Sequence, residues 1–277
     1  MRDGIGRSLR LTLPARRIAA LTPASVEILF AVGCEGQVVL RDGRADYPPA
    51  ALALPKADGL RSSVEYVAGF RPDLVVLAFD DPARIASLSA LRIPVAVFNA
   101  ASVDAVLKDA ETLSRFCGAS PAKALALQQE MRGRIRRITE RVQGRARPKV
   151  YIELDGADPV KPWTAGSGAF VHDLLSLAGG DNIFSALKRP YAQVSAEAVI
   201  RAAPEVVIMT RGSAAALRAR PGWGSLPALK RGKVLDTLDA DLLTRSGPRL
   251  VKGLEQLARA LHPGAFAPAQ KSAGSGS

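Results

Sequence analysis

Ser63-Val-Glu-Tyr-Val-Ala-Gly-Phe-Arg-Pro-Asp-Leu-Val-Val-Leu77 recurs without a gap as Ser195-Ala-Glu-Ala-Val-Ile-Arg-Ala-Ala-Pro-Glu-Val-Val-Ile-Met209, every matched pair 132 positions apart. Ser63 and Ser195 are placed as N-caps, whose side-chain oxygen accepts a hydrogen bond from a free N–H of the first helical turn. Glu65 and Glu197 fall in that turn, where the helix dipole favours negative charge. Pro72 and Pro204 close each short helix, because the residue before a proline is pushed out of the helical region. Residues 74–77 and 206–209 are apolar and rich in β-branched side chains, the pattern of a buried parallel strand. A copied helix–strand unit predicts two similar lobes.

The same alternation extends outward from both copies. Strands are expected at 17–21, 37–40, 74–79 and 95–99, separated by helices at 22–33, 64–71, 82–91 and 103–116. Such an order predicts a parallel sheet covered by helices on both faces. Ser120-Pro121 opens a longer helix to Val142, with Ala124, Leu127, Met131, Ile135, Ile138 and Val142 at three- and four-residue steps. Its arginines at 132, 134, 136, 137 and 141 read as a solvated face. The second half restarts with a strand at 150–154 and a loop at 155–167. It continues with a helix at 170–177, an irregular connection at 182–193, the second copy, a strand at 234–236 and a last helix at 248–261. The expected organisation is an N-terminal α/β lobe at 1–118, a linking helix at 119–146, a C-terminal α/β lobe at 147–263 and a flexible Gly- and Ser-rich tail at 264–277.

Length and composition suit a globular two-lobed chain: 277 residues, 48% of them hydrophobic. No apolar run approaches the roughly 20 residues needed to span a bilayer. The net charge of +12 would suit an acidic ligand, an anionic membrane face or nucleic acid. Aromatic residues make up only 5%, however, so bases would find few stacking platforms and no nucleic-acid partner is expected. The first seven residues lack the apolar stretch of a signal peptide, as a mature chain would. Cys34 and Cys117 each sit just past an apolar helical pattern. A disulfide between them is possible in an oxidising compartment, but spacing does not set their distance, and free thiols are expected.

Catalytic signatures are missing from the sequence. Gly166-Ser167-Gly168 is not a Gly-x-Ser-x-Gly elbow, and no phosphate-binding glycine loop follows a strand. The two histidines, His172 and His262, have no zinc-ligand spacing and read as structural. No enzyme, cofactor or metal site is expected. In open α/β sheets ligands sit beyond the carboxyl ends of the strands. The loops there are 41–47, 59–62, 79–82, 155–163, 188–191 and 239–245. They carry Arg44, Tyr47, Leu60, Arg61, Lys161, Trp163, Arg189, Tyr191, Leu242 and Arg245, a set suited to a large, partly apolar, anionic ligand.

Several stretches in order carry a family likeness over residues 16–263. They are Arg17-Ile-Ala-Ala-Leu-Thr-Pro-Ala-Ser-Val-Glu-Ile-Leu-Phe-Ala-Val-Gly33, Asp46-Tyr-Pro-Pro49, Thr164-Ala-Gly-Ser-Gly-Ala-Phe170, Leu177-Ala-Gly-Gly-Asp-Asn-Ile-Phe184, Tyr191-Ala-Gln-Val-Ser-Ala-Glu197 and Arg245-Ser-Gly-Pro-Arg249. The sequence resembles class III substrate-binding proteins of ABC importers, most of all the vitamin B12-binding members. The resemblance implies an α/β chain of two Rossmann-like lobes with parallel central sheets, joined by a single long helix. It also implies a monomeric extracytoplasmic receptor, periplasmic in bacteria that have a periplasm, holding a metal chelate in the inter-lobe cleft. A corrinoid such as cobalamin is the expected ligand, with a ferric siderophore as the alternative and haem less so. The implied protein partner is an ABC permease dimer, met by one glutamate per lobe, here Glu65 and Glu197. Tyr191 resembles a position where B12 binders place an aromatic ring. Arg44 and Leu242 stand where such binders often use aromatics, and Leu60-Arg61 where some have Trp. Gly59-Leu-Arg-Ser62 offers neither the Tyr nor the His typical of haem binders.

Overall fold

The computed structural model describes residues 1–267. The chain divides into two compact units. The first is Met1–Arg134 with Gly168–Leu174 and Asp241–Val251; the second is Ile135–Ser167 with Leu175–Ala240 and the chain from Lys252 onward.

The first unit runs β1 (Ile18–Ala20), α1 (Pro23–Ala31), β2 (Val38–Asp42), β3 (Lys56–Ala57), α2 (Val64–Gly69), β4 (Leu74–Leu77), α3 (Pro82–Ala90), β5 (Val95–Val97) and α4 (Val103–Cys117), then enters α5 (Pro121–Val142). Its sheet is wholly parallel, in the order β3-β2-β1-β4-β5. Two apolar clusters cover the two faces of this sheet. One gathers Ile18, Leu29, Leu74, Leu113 and Phe116; the other gathers Leu21, Leu40, Val67, Leu77 and Leu88. Side-chain caps start the helices: Thr22 accepts from the Ser25 N–H, Asp81 from Arg84 and Ser102 from Ala105.

After α5 the chain runs β6 (Lys149–Asp155), β7 (Trp163–Ala165), α6 (Phe170–Leu177), β8 (Asp181–Asn182), β9 (Tyr191–Gln193), α7 (Ala196–Ala202), β10 (Val206–Met209), α8 (Ala214–Arg218), α9 (Pro227–Lys230), β11 (Val234–Leu235), α10 (Ala240–Thr244) and α11 (Leu250–Leu261), with most of α6 and α10 in the first unit and the rest mainly in the second. Four of the five unit boundaries fall inside α5, α6, α10 and α11, and the fifth lies between Ser167 and Gly168, before α6. The sheet order is β11-β10-β6-β7-β9, with β8 also on β6. Its centre is parallel, but β7 and β9 are antiparallel additions. They replace an expected loop and an expected irregular segment, because three-residue strands are too short to show a period. Tyr151, fully buried, packs against Trp223 and Phe184 with ring centroids 5.9 and 6.0 Å away. Pro263–Ala265 form a 3-10 turn, and Phe266 lies under the guanidinium groups of Arg141 and Arg259. Residues 268–277 of the expected tail lie outside the described residues.

The repeat has the same internal construction in both units. Ser63 caps α2 by accepting from the Tyr66 N–H, and Ser195 caps α7 by accepting from Ala198, both at 3.2 Å. The acid after each proline ties the strand entry to its neighbour. Asp73 accepts from the N–H of Arg16 and Arg17 at 2.7 and 2.9 Å, just before β1. Glu205 accepts from Lys149 at 3.0 Å, at the start of β6. The N–H of each acid in turn donates to the carbonyl of Arg17 or Lys149. Thus β4 is seated on β1 and β10 on β6, both strands fully buried.

The expectation of free thiols is overturned. Cys34 and Cys117 form a disulfide, with Cα atoms 6.2 Å apart. Helix α1 packs against α4. Cys34 follows the end of α1 and Cys117 is the last residue of α4, so this packing brings together two sulfurs separated by 83 positions. The pairing depends on helix packing, which the local sequence pattern does not record.

Candidate functional site

In the first unit, Arg44, Leu60 and Arg61 come together. They line a cavity of about 640 Å³ with Asp42, Lys56, Asp58, Ser62 and Tyr66. The loop after β2 supplies Arg44, and a turn over residues 58–62 supplies the next wall. That turn is closed by local bonds. The Asp58 carboxylate accepts from the N–H of Leu60 and Arg61 at 2.9 and 3.0 Å, and the Ser62 hydroxyl accepts from the Asp58 N–H at 2.9 Å. These backbone donors hold the Asp58 carboxyl below its ordinary range. Gly59 is required by close approach, since a Cβ there would sit within 2.4 Å of both the Asp42 carboxylate and the Leu21 carbonyl. Asp42 is buried and accepts from the N–H of Arg44 and Gly59 at 2.8 and 3.2 Å. Both acids lining the cavity are therefore engaged by backbone donors.

Tyr47, Leu242 and Arg245 have different surroundings in that unit. The Arg245 side chain is largely buried and forms ion pairs of 2.6 Å with both Asp46 and Asp241. The hydrogen bond from Arg245 keeps the Asp46 carboxyl below its ordinary value. The Arg249 guanidinium lies 4.2 Å from the centre of the Tyr47 ring. Leu242 is buried.

In the second unit, Trp163 and Tyr191 lie on the β7–β9 pair. Trp163 faces Gln193 and Ala165 faces Tyr191, so the two-residue period places both aromatics on one face of the pair. Both remain exposed, at 44 and 46%. Lost solvation pushes the Tyr191 phenol up. Lys161 is exposed, and its backbone carbonyl accepts from the Gln193 side chain at 3.1 Å. Arg189 is exposed on the segment leading into β9. The Ser167 hydroxyl donates to the Leu187 carbonyl at 2.8 Å and anchors that segment. Gly166 makes this approach possible, because a Cβ there would meet the Arg189 carbonyl at 2.4 Å.

Glu65 and Glu197 are exposed in the first turns of α2 and α7. In each case the residue's own backbone N–H, then the capping serine, hold the carboxyl below the ordinary glutamate value. Each unit thus presents one carboxylate that is ionised through neutral and mildly acidic pH.

Sequence reasoning missed Lys56, Asp58 and Tyr66 as cavity residues. Tyr66 follows a residue that the repeat did mark, Glu65. Lys56 lies on a two-residue strand whose place beside β2 only the sheet reveals. Among the described residues no cluster of three or more His, Cys, Asp or Glu side chains could hold a metal, and no helix is long and apolar enough to cross a membrane.

A family described as periplasmic binding protein matches residues 18–240. The chain belongs to this periplasmic binding protein family. It is 28% identical over 275 residues to an ABC transporter substrate-binding lipoprotein of Bacillus subtilis, covering 95% of this chain and 85% of that one. It is 29% identical over 264 residues to a vitamin B12-binding protein of Salmonella choleraesuis, covering 92 and 95%. Among solved structures, the periplasmic vitamin B12 binding protein of Vibrio cholerae superposes with a TM-score of 0.79 at 27% identity, covering 92% of this chain and 99% of that one. These periplasmic binding protein relatives are substrate-binding components of transport systems and not enzymes.

Proposed function

We propose that the protein is the extracytoplasmic solute-binding component of an ABC importer. It captures a metal chelate, a corrinoid such as cobalamin, and delivers it to a dimeric permease. The observation that carries this reading is the matched pair Glu65 and Glu197. Each is exposed, each follows a capping serine, and each is held ionised at the same place in its unit. Two equivalent carboxylates on similar units suit a two-fold symmetric partner bearing cations. Trp163 and Tyr191 provide exposed aromatic faces for a large ring system. The corrinoid is supported by the vitamin B12-binding relatives. The Cys34–Cys117 disulfide supports an oxidising, extracytoplasmic location, and the chain acts as a monomer.

A second reading, a ferric siderophore, is favoured by the cations lining the first-unit cavity, where Arg44 and Arg61 stand in place of aromatics. A thermal-shift panel of cobalamin, cobinamide, haem and several ferric siderophores tests both. A ligand at about 100 times its dissociation constant adds about 2.7 kcal/mol of stability. No shift with any of them would refute chelate capture.

A further inference from the structure

The first-unit cavity is backed by buried positive charge as well as rimmed with it. Arg41 is buried beside the cavity residue Asp42. Its Nη1 donates to the carbonyls of Asp42, Gly43 and Ala45 at 2.9, 3.2 and 3.2 Å, and its Nε is buried without a hydrogen-bond partner. Arg84, from α3, is also buried. Its Nη1 donates to the Gly59 carbonyl at 2.6 Å, while its Nε and Nη2 are buried without partners. Among the described residues neither guanidinium has a carboxylate within ion-pair distance. Carbonyl oxygens orient these two cations, and the Asp81 and Asp58 carboxylates act on Arg84 only through space, beyond ion-pair distance.

The rim adds Arg44, Lys56 and Arg61. Arg44 lies 3.6 Å from the Asp42 carboxylate. The Lys56 ammonium and the Arg61 guanidinium have no hydrogen bond or close ion pair among the described residues. Asp42 and Asp58 are already engaged by backbone N–H groups. Three cations therefore line the cavity against two lining carboxylates, Arg41 and Arg84 lie behind it with Asp81 near Arg84, and two of the rim cations have free donors.

We propose that this cavity binds an anionic oxygen group of the transported chelate, a phosphate or a carboxylate, with Arg61 and Lys56 as its direct contacts. The inference rests on the chelate-capture reading and assigns the chelate a charged group. Arg61 supplies a planar fork of donors, and Lys56 a compact charge beside it. Arg41 and Arg84 contribute potential from behind and hold the surrounding carbonyls in place. Exposed Leu60 and Tyr66 give the same cavity an apolar margin. The anionic group could belong to the nucleotide phosphodiester of a complete corrinoid or to the carboxylates of a ferric chelate.

The test is an equilibrium titration of the full chain, Arg61→Ala and Lys56→Ala with four probes: cobalamin, cobinamide lacking the nucleotide, ferric citrate and a neutral ferric trihydroxamate. Both side chains are exposed, and unchanged melting temperatures show that the variants fold. Wild type is expected to prefer the member of a pair that carries the anionic oxygen group, with affinity falling as salt rises. Each variant is expected to lose about tenfold for that member, while affinity for the counterpart lacking the group is unchanged. Preference for cobalamin over cobinamide assigns the phosphate; preference for ferric citrate over the trihydroxamate assigns carboxylates. Chelate binding that ignores both substitutions overturns the anion subsite and leaves chelate capture standing. Failure of wild type to bind any of the four overturns both.

Discussion

Arg71 and Ala203 adopt the same left-handed backbone, with φ of 48° and 49°, at matching positions of the two repeat copies. Each stands immediately before the proline of the frame and immediately after its helix has turned. Side chains with a Cβ are strained there. Both units accept this strain, because it turns the chain from the capped helix into the central strand within three residues. The identity of the repeat is therefore conformational as well as compositional. Ala203→Gly is expected to relieve the strain and raise stability by about 1 kcal/mol. Denaturant unfolding checks it; a loss of stability would show that the backbone is not strained at this point.

Arg249 and Glu27 form an ion pair of 2.8 Å, 222 positions apart, with both side chains largely buried. The pair fastens the start of α11 to α1 within the first unit. Removing Arg249 leaves the Glu27 carboxylate buried without its ion-pair partner. Arg249→Ala is expected to cost about 3 kcal/mol, and Glu27→Leu with Arg249→Met to recover most of it. Unfolding of the two variants in urea makes the comparison; a double variant no better than the single one would contradict it.

Much of this was legible in the sequence, because the chemistry is local. Serine caps and prolines after short helices act within a few residues, so the repeat displayed them; the acids that follow were visible too, but their partners Arg16, Arg17 and Lys149 lie 56 or 57 positions away. What was not legible depends on distant pairing. Trp163–Ala165 and Tyr191–Gln193 become strands only by pairing with each other and with β6. Cys34 meets Cys117 only because α1 packs on α4. Arg84 reaches the cavity turn from a helix whose sequence shows only a cap and an apolar stripe.

Asp109 gives stability a pH dependence. It is buried on α4, with Asp3 nearby, and burial first, then the Asp3 charge, push its carboxyl from 3.8 to about 7. The Asp3 carboxylate is held by the N–H groups of Ile5, Arg7 and Val97 and by the Arg7 guanidinium. The folded chain thus binds a proton at Asp109 that the unfolded chain releases. This contribution is fully present below the unfolded value and is lost as pH rises to about 7. From the two values the loss is on the order of 4 kcal/mol. Asp109→Asn is expected to flatten the fall in stability between about pH 4 and 7 and to exceed wild type at about pH 8. Melting curves across this range decide it, and parallel profiles for the two proteins would contradict it.

Glu65 and Glu197 carry the central claim, because they connect the repeat to delivery of the ligand. The most direct measurement compares wild type with the double variant Glu65→Ala, Glu197→Ala in two readouts: affinity for the chelate, and stimulation of the ATPase of the cognate permease. Each carboxylate is exposed on a capped helix and lies outside the cavity lining. The predicted result is unchanged chelate affinity with stimulation lost. Full stimulation by the double variant, or loss of chelate binding in its place, would contradict the docking role.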